Sequence, residues 1–213
     1  MTQDRGAVRR QATTPRQCHE TQVLGYEVSR SHRKRWRGLA YNAAELVRYF
    51  FTGGNTCASF SWAYNWDSRD NGLVEEGLEF VPMLRGPIED PTRRWRANAE
   101  DMLAKGSAHI LSFNECDIAS QYNTSSAEAA HAHVEFMNLF SPRVRIGSPA
   151  VFNGNVAGEG PGLAPGAGFR ICGGRPVWLT EFALAPLSPD DEDAVEWLRE
   201  VLPLLEGMEH LEQ

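Results

Sequence analysis

The chain has 213 residues, 42% hydrophobic and 23% charged, with a formal net charge of −7, which fits one globular domain with a sizeable core. No apolar run approaches the ~20 residues of a membrane span. Nine Lys/Arg against three acids give residues 1–37 a net charge of +6 and leave −13 on the remainder; a body of that sign repels phosphate, so a neutral substrate is expected and nucleic acid is not.

Residues 1–36 are basic and show no strand or helix period, so a disordered N-terminal segment is expected there. They never string seven apolar residues together, so no secretory signal is expected in them either. Residues 37–213 read as one domain. Residues 38–42 form a short buried strand, 43–51 a helix, and Gly53-Gly54-Asn55 a turn. Residues 58–66 are aromatic and strand-like. A third strand spans 78–84, with a bulge or an end at Pro82, which cannot donate to a ladder. Residues 90–105 form a helix capped by Asp90, with Pro91 in its first position and Gly106 as its stop.

The fourth strand spans 109–114. Ser125-x-x-Glu128 is a capping box opening a helix to about Phe140, with Ala130, Val134 and Met137 facing inward. The fifth strand spans 143–149 and the sixth 176–180. Ser188 and Pro189 then open a final helix, which Pro203 should kink or split. Four cysteines (Cys18, Cys57, Cys116, Cys172) form no CxxC pair, so free thiols are expected.

This alternation predicts an α/β fold with a parallel sheet and right-handed crossovers. Six strands are legible, whereas a closed (β/α)₈ TIM barrel has eight. Residues 152–175 include eight glycines and two prolines, and they read as a loop too short for a strand with flanking helices. Nothing strand-like follows the last helix. The expectation is an incomplete barrel, lacking its sixth unit and its eighth strand.

Two strands end in a glutamate: Phe113-Asn114-Glu115 and Val177-Trp178-Leu179-Thr180-Glu181. Barrels carry their chemistry at the C-terminal ends of strands, and glycoside cleavage needs two carboxyl groups on different elements. Glu115 is the candidate acid/base, with Asn114 placed to bond a sugar 2-hydroxyl; Glu181 is the candidate nucleophile. Trp62, Tyr64 and Trp66 share one strand face, Ala63 and Asn65 the other. Aromatics there serve either core packing or sugar stacking. Trp62 is assigned to the core, and Asn65, Trp66, Tyr64 and Tyr41 to substrate binding. His131-x-His133 on a helix diverges by about 200°, so a solvated face is expected and no metal.

Six blocks occur in order: Arg37-Gly38-Leu39-Ala40-Tyr41-Asn42, Ser61-Trp62-Ala63-Tyr64-Asn65-Trp66, Glu79-Phe80-Val81-Pro82-Met83-Leu84, Phe113-Asn114-Glu115-x-Asp117, Ile146-Gly147-Ser148-Pro149-Ala150-Val151 and Pro176-Val177-Trp178-Leu179-Thr180-Glu181-Phe182. The set resembles glycoside hydrolase family 128, fungal-type endo-β-1,3-glucanases with a glycosyl hydrolase catalytic core. The resemblance implies a (β/α)₈ fold and retaining hydrolysis of β-1,3-glucan without a cofactor. It also implies Glu115 as acid/base, Glu181 as nucleophile, and a secreted or wall-attached protein; a monomer is expected. The chain departs from the family at Cys116, where a proline is usual, and at Arg85, where a tryptophan is. It also lacks a sixth-strand His-Trp-Tyr segment. A truncated gene product accounts for these departures together, and a catalytically impaired glucan-binding scaffold is the alternative reading.

Overall fold

The structure, a computed structural model, describes residues 37–51, 60–150, 176–182, 191–208 and 211. Along these residues, strands and helices alternate. β1 (Arg37–Ala40) leads into a single helical turn, α1 (Ala44–Val47), which tightens to 3₁₀ over Arg48–Phe50. β2 (Phe60–Tyr64) and β3 (Glu79–Phe80) precede α2 (Glu89–Ala104). β4 (His109–Ile110) precedes α3 (Ser126–Met137), which tightens over Asn138–Phe140 before β5 (Arg145–Ile146). The last helix, α4, spans Asp191–Glu206.

All strand pairs are parallel. β1-β2-β3 form one sheet and β4-β5 another, with Leu39 opposite Ala63, Ala63 opposite Phe80 and Ile110 opposite Ile146. A parallel bridge between Met83 and Leu111 joins the two sheets. Pro82 explains why β3 stops short of that bridge. It has no N–H to donate, yet its carbonyl accepts from the Leu111 amide at 2.9 Å, and Leu84 N–H returns a bond to the Leu111 carbonyl at 3.1 Å. Glu79 fastens the same seam from below, its Oε1 accepting from the amides of Ala108 (2.8 Å) and His109 (3.0 Å) and meeting His109 Nδ1 at 2.9 Å.

Strand alternation separates the apolar clusters. Ala63 and Phe80 pack with Leu39, Tyr41, Val47 and Met102, while Trp62 and Tyr64 face the other way with Val81, Met83, Leu111 and Trp178. A further cluster lies under α2 and α3: Leu84, Trp95, Ala99, Ile110, Phe113, Cys116, Met137 and Phe140.

Several expected details shift. α2 begins at Glu89 after Ile88, so Asp90 is inside the first turn, Pro91 is the third residue, and Thr92 N–H and hydroxyl both turn back to the Ile88 carbonyl. Gly106, at φ +112°, ends the helix as expected. The capping box forms, with Glu128 N–H donating to Ser125 Oγ and Ser125 N–H to Glu128 Oε2. The inward stripe of α3 differs at two positions, however: Met137 is buried as expected, but Ala129 is buried in place of Ala130, and Val134 is 59% exposed. Phe136 and Phe140 outweigh Val134, so the helix turns the Ala129–His133–Phe136 face inward.

Residues 176–180 form no strand; Val177 makes one parallel bridge to Leu211. That bridge corrects the expectation that nothing strand-like follows the last helix. α4 continues through Pro203 unsplit, to Glu206. The turn at residues 53–55, Cys18, Cys57, Cys172, the loop 152–175 and the Ser188 cap lie outside the described residues.

Gly38 in β1 lies against the six-membered ring of Trp62, where any Cβ would overlap the ring. Trp62 is 4% exposed, wedged between Tyr64 and Trp178, and cannot retreat. Gly38→Ala should therefore destabilise the protein by about 1–3 kcal/mol, read as a fall of several degrees in the midpoint of thermal unfolding.

Candidate active site

A cavity of about 610 Å³ opens beyond the C-terminal ends of β2, β3 and β4. Its walls include Asn65, Trp66 and Asp67 after β2, Arg85 after β3, Asn114 and Glu115 after β4, and Glu181. The two glutamates expected to act together thus share one opening. Their interaction is visible electrostatically. Burial first, then the Glu181 charge, then Asp117, hold the Glu115 carboxyl above the usual carboxylate range. A half-buried carboxyl that holds its proton more tightly than an ordinary one thus stands beside an exposed carboxylate.

Glu115 and Trp66 are both in the left-handed backbone region, at φ +41° and +57°. For non-glycine residues this costs energy and persists only where neighbours enforce it. The turn around Trp66 is locked locally: Asn65 Nδ2 donates to the Arg69 carbonyl at 2.8 Å, Asp67 N–H to Asn65 Oδ1 at 3.1 Å, and Met83 N–H to the Asp67 carbonyl at 2.9 Å. Near Glu115, Asn114 N–H donates to the Arg85 carbonyl at 2.9 Å and Thr124 N–H to the Cys116 carbonyl at 2.8 Å.

The other expected site residues divide. Asn114 is buried in the cavity wall beside Glu115. Asn65 also lines the cavity, but its amide is spent on the turn just described. Tyr64 lies beneath the wall with its ring fully buried, and its hydroxyl donates to the Thr180 carbonyl (3.2 Å) and Glu181 Oε1 (3.3 Å). Burial, then Glu181, then Glu115 push that phenol far above its ordinary pKa, so it stays a donor. Tyr41 does not reach the cavity. Its ring meets Phe80 edge-on, and its hydroxyl donates to the Asp70 carbonyl at 2.6 Å, because β1 points this side chain into the α1 cluster. His131 is exposed as expected; His133 is half-buried, with Nδ1 2.9 Å from Ser112 Oγ.

The sequence reading missed a polar rim. Arg94 of α2 pairs with Asp67 at 2.8 Å, and Arg85 Nη2 donates to Gln121 Oε1 at 3.3 Å. Tyr122 closes over Gly86, where a Cβ would strike its ring. Asp67, directly after Trp66, was the one legible hint; the α2 arginine carries no motif. Among the described residues no three His, Cys, Asp or Glu side chains group to hold a metal, and no helix is long and apolar enough to cross a membrane.

Fold and site together define a mixed α/β protein of the glycoside hydrolase type. The profile of the glycosyl hydrolase catalytic core matches residues 38–162. Among solved structures, a curdlan-specific exo-β-1,3-glucanase of family 128, subgroup III, from Blastomyces gilchristii, in complex with glucose, is 34% identical at a TM-score of 0.69, over 83% of this chain and 86% of that one. A subgroup I endo-β-1,3-glucanase from Amycolatopsis mediterranei, with laminaritriose and laminaribiose, shares the fold at 22% identity and a TM-score of 0.55 over 84% and 86%. A subgroup V exo-β-1,3-glucanase from Cryptococcus neoformans does so at 20% and 0.55 over 83% and 82%. Comparison with curated protein sequences gives no significant match. The chain belongs to the glycosyl hydrolase catalytic core family, in its family 128 branch.

The raised carboxyl of Glu115 has a thermodynamic sign. Its folded-state pKa exceeds the unfolded value, so its favourable contribution is complete below the unfolded value and lost as pH rises through the folded one. Glu115→Gln should accordingly raise the unfolding midpoint at neutral pH and leave it unchanged at pH 3, in thermal scans at both.

Proposed function

We propose that the protein is a β-1,3-glucan hydrolase that works with two glutamates and retention of configuration. The observation that carries this reading is that Glu115 and Glu181, from different elements, line one cavity closely enough for one charge to perturb the other. In the first step, the Glu181 carboxylate attacks the anomeric carbon, the glycosidic C–O bond breaks, and the Glu115 proton goes to the departing sugar oxygen. In the second, Glu115 takes a proton from water, whose oxygen displaces Glu181 from the sugar and restores both carboxyl groups. Asn114 is assigned to the 2-hydroxyl. Residues 37–213 act as one catalytic domain and as a monomer, on a polysaccharide found in cell walls.

The supporting frame is an incomplete (β/α)₈ barrel. Five parallel strands in sequential order, joined at the Met83–Leu111 bridge, fit the first five staves, and the Val177–Leu211 bridge fits a remnant of the closing side. The alternative of a glucan-binding scaffold without turnover rests on the Gly/Pro-rich 152–175 stretch in place of a sixth unit. The same assay separates the two.

Reducing-sugar release from laminarin and curdlan should be measurable with the purified protein, and Glu181→Gln or Glu115→Gln should lower it by roughly 10³-fold or more. Equal release by wild type and Glu181→Gln removes Glu181 from the mechanism. Endo action yields a ladder of oligosaccharides; glucose as sole product assigns exo action, as in the Blastomyces neighbour. The alkaline limb of the rate profile follows the ionisation of Glu115. Asp117→Asn removes a charge that raises that carboxyl, so it should move the limb to lower pH.

A further inference from the structure

We propose that Trp66 is a positioning residue for Glu181: its indole N–H, seconded by the Tyr64 hydroxyl, anchors Oε1 and so selects Oε2 as the attacking oxygen. The inference rests on the glucanase reading and replaces sugar stacking as the main role of Trp66.

Glu181 lies in a stretch with no regular secondary structure, where Phe182 meets Trp197 of α4 at 5.6 Å and the Thr180 carbonyl accepts from the Tyr64 hydroxyl. Among the described residues, segment 176–182 has one backbone bridge, at Val177, four residues before the glutamate. Strand register therefore does not place the carboxylate. Side chains from the end of β2 and the turn after it do. Trp66 Nε1 donates to Glu181 Oε1 at 2.7 Å, the short end of the range for a charge-assisted N–H···O bond. Tyr64 donates to the same oxygen at 3.3 Å. Both donors converge on Oε1, and among the described residues no hydrogen bond reaches Oε2. A carboxylate with one oxygen fixed by two donors presents the other along a defined direction.

The donors are themselves held. Tyr64 stacks on Trp62 (centroids 5.7 Å apart) and meets Trp66 at 5.0 Å, while Trp62 meets Trp178 at 5.2 Å. Trp178 comes from the same segment as Glu181, three residues earlier, so one aromatic stack locates both the segment and its carboxylate. A bulky residue at φ +57° is unfavourable in itself, and the Asn65–Asp67 turn keeps Trp66 there. If ring stacking were the only use of Trp66, no defined N–H direction would be needed.

Trp66→Phe keeps the ring and deletes the donor. It should lower kcat on laminarin by about 10–100-fold, the scale of one hydrogen bond to a charged group, with KM within about twofold. Trp66→Ala should lower kcat as much as Phe does, and Tyr64→Phe less. The indole N–H resonance missing from Trp66→Phe identifies Trp66 in the ¹⁵N spectrum, and in wild type that signal should be shifted downfield and move upfield in Glu181→Gln. A Phe variant with full kcat and only Ala raising KM overturns the assignment in favour of stacking. An indole signal indifferent to Glu181→Gln overturns it whatever the activity. Wild type that releases no sugar from laminarin or curdlan overturns the glucanase reading, and the assignment falls with it.

Discussion

The backbone seam between residues 82–85 and 111–114 holds the rest of the site in register. Three backbone bonds make it, Leu111 N–H to Pro82, Leu84 N–H to Leu111 and Asn114 N–H to Arg85, and the Glu79 carboxylate adds two below it from the Ala108 and His109 amides. Parallel ladders must be satisfied continuously when both faces are covered. A proline in the third strand would break such a ladder if its nitrogen faced the neighbour. Here the nitrogen falls between β3 and the Met83 bridge, and the carbonyl alone is used. Two short sheets thereby act as one wall, and Asn114-Glu115 emerges from it beside the end of β2 rather than at a separate edge.

On that wall, chemistry follows from unequal surroundings of like groups. Glu115 is half-buried next to the Glu181 and Asp117 charges, and burial and those charges together hold its carboxyl above the usual carboxylate range. Glu181 is exposed and receives two donors. Tyr64 lies between them, feels both charges, and remains protonated. Its hydroxyl can only donate towards Glu181, which fixes the sense of the contact. The cations of the rim, Arg94 and Arg85, are engaged with Asp67 and Gln121 instead. Among the described residues neither cation pairs with the glutamates, and like charges in a shared cavity are what the proposed division into acid and nucleophile needs.

Much of this was legible in the sequence because it depended on local rules. The two-residue period of Trp62–Ala63–Tyr64 predicted that the two rings share a strand face and that Trp62 is core, whereas Tyr64, assigned to substrate, is buried beside it. The Ser125–Glu128 spacing predicted a cap, and glutamates at strand ends predicted a shared opening. What failed depended on tertiary competition. In α3 Met137 faced inward as expected, but Ala130 and Val134 did not, because Phe136 and Phe140 took the space near Trp95, whose indole N–H reaches the Phe136 carbonyl. Tyr41 was assigned to the substrate because it ends a strand, but the α1 cluster took its ring. Arg94 was invisible, since a helix arginine has no pattern that marks which loop carboxylate it will meet. Nor could residues 176–180, as apolar as any strand, announce that their ladder would shrink to one bridge.

That last shortfall bears on why Trp66, a bulky residue in the left-handed region, stands at the cavity. A carboxylate on a well-paired strand inherits its direction from the sheet, and neighbouring side chains need only tolerate it. Among the described residues Glu181 has one bridge behind it, so directional hydrogen bonds supply what register supplies elsewhere. An N–H bond is useful for this because its strength falls steeply as the angle opens, but it demands that the donor ring be aimed. Trp66 can be aimed only if its backbone leaves the pleat, and the φ of +57° is the cost of doing so. The Asn65 amide, which bridges Arg69 and Asp67 instead of facing a sugar, is then explained as the brace that maintains that turn. On this view the loss of sheet pairing around Glu181 and the strain at Trp66 are two sides of one compensation, made through a single carboxylate oxygen.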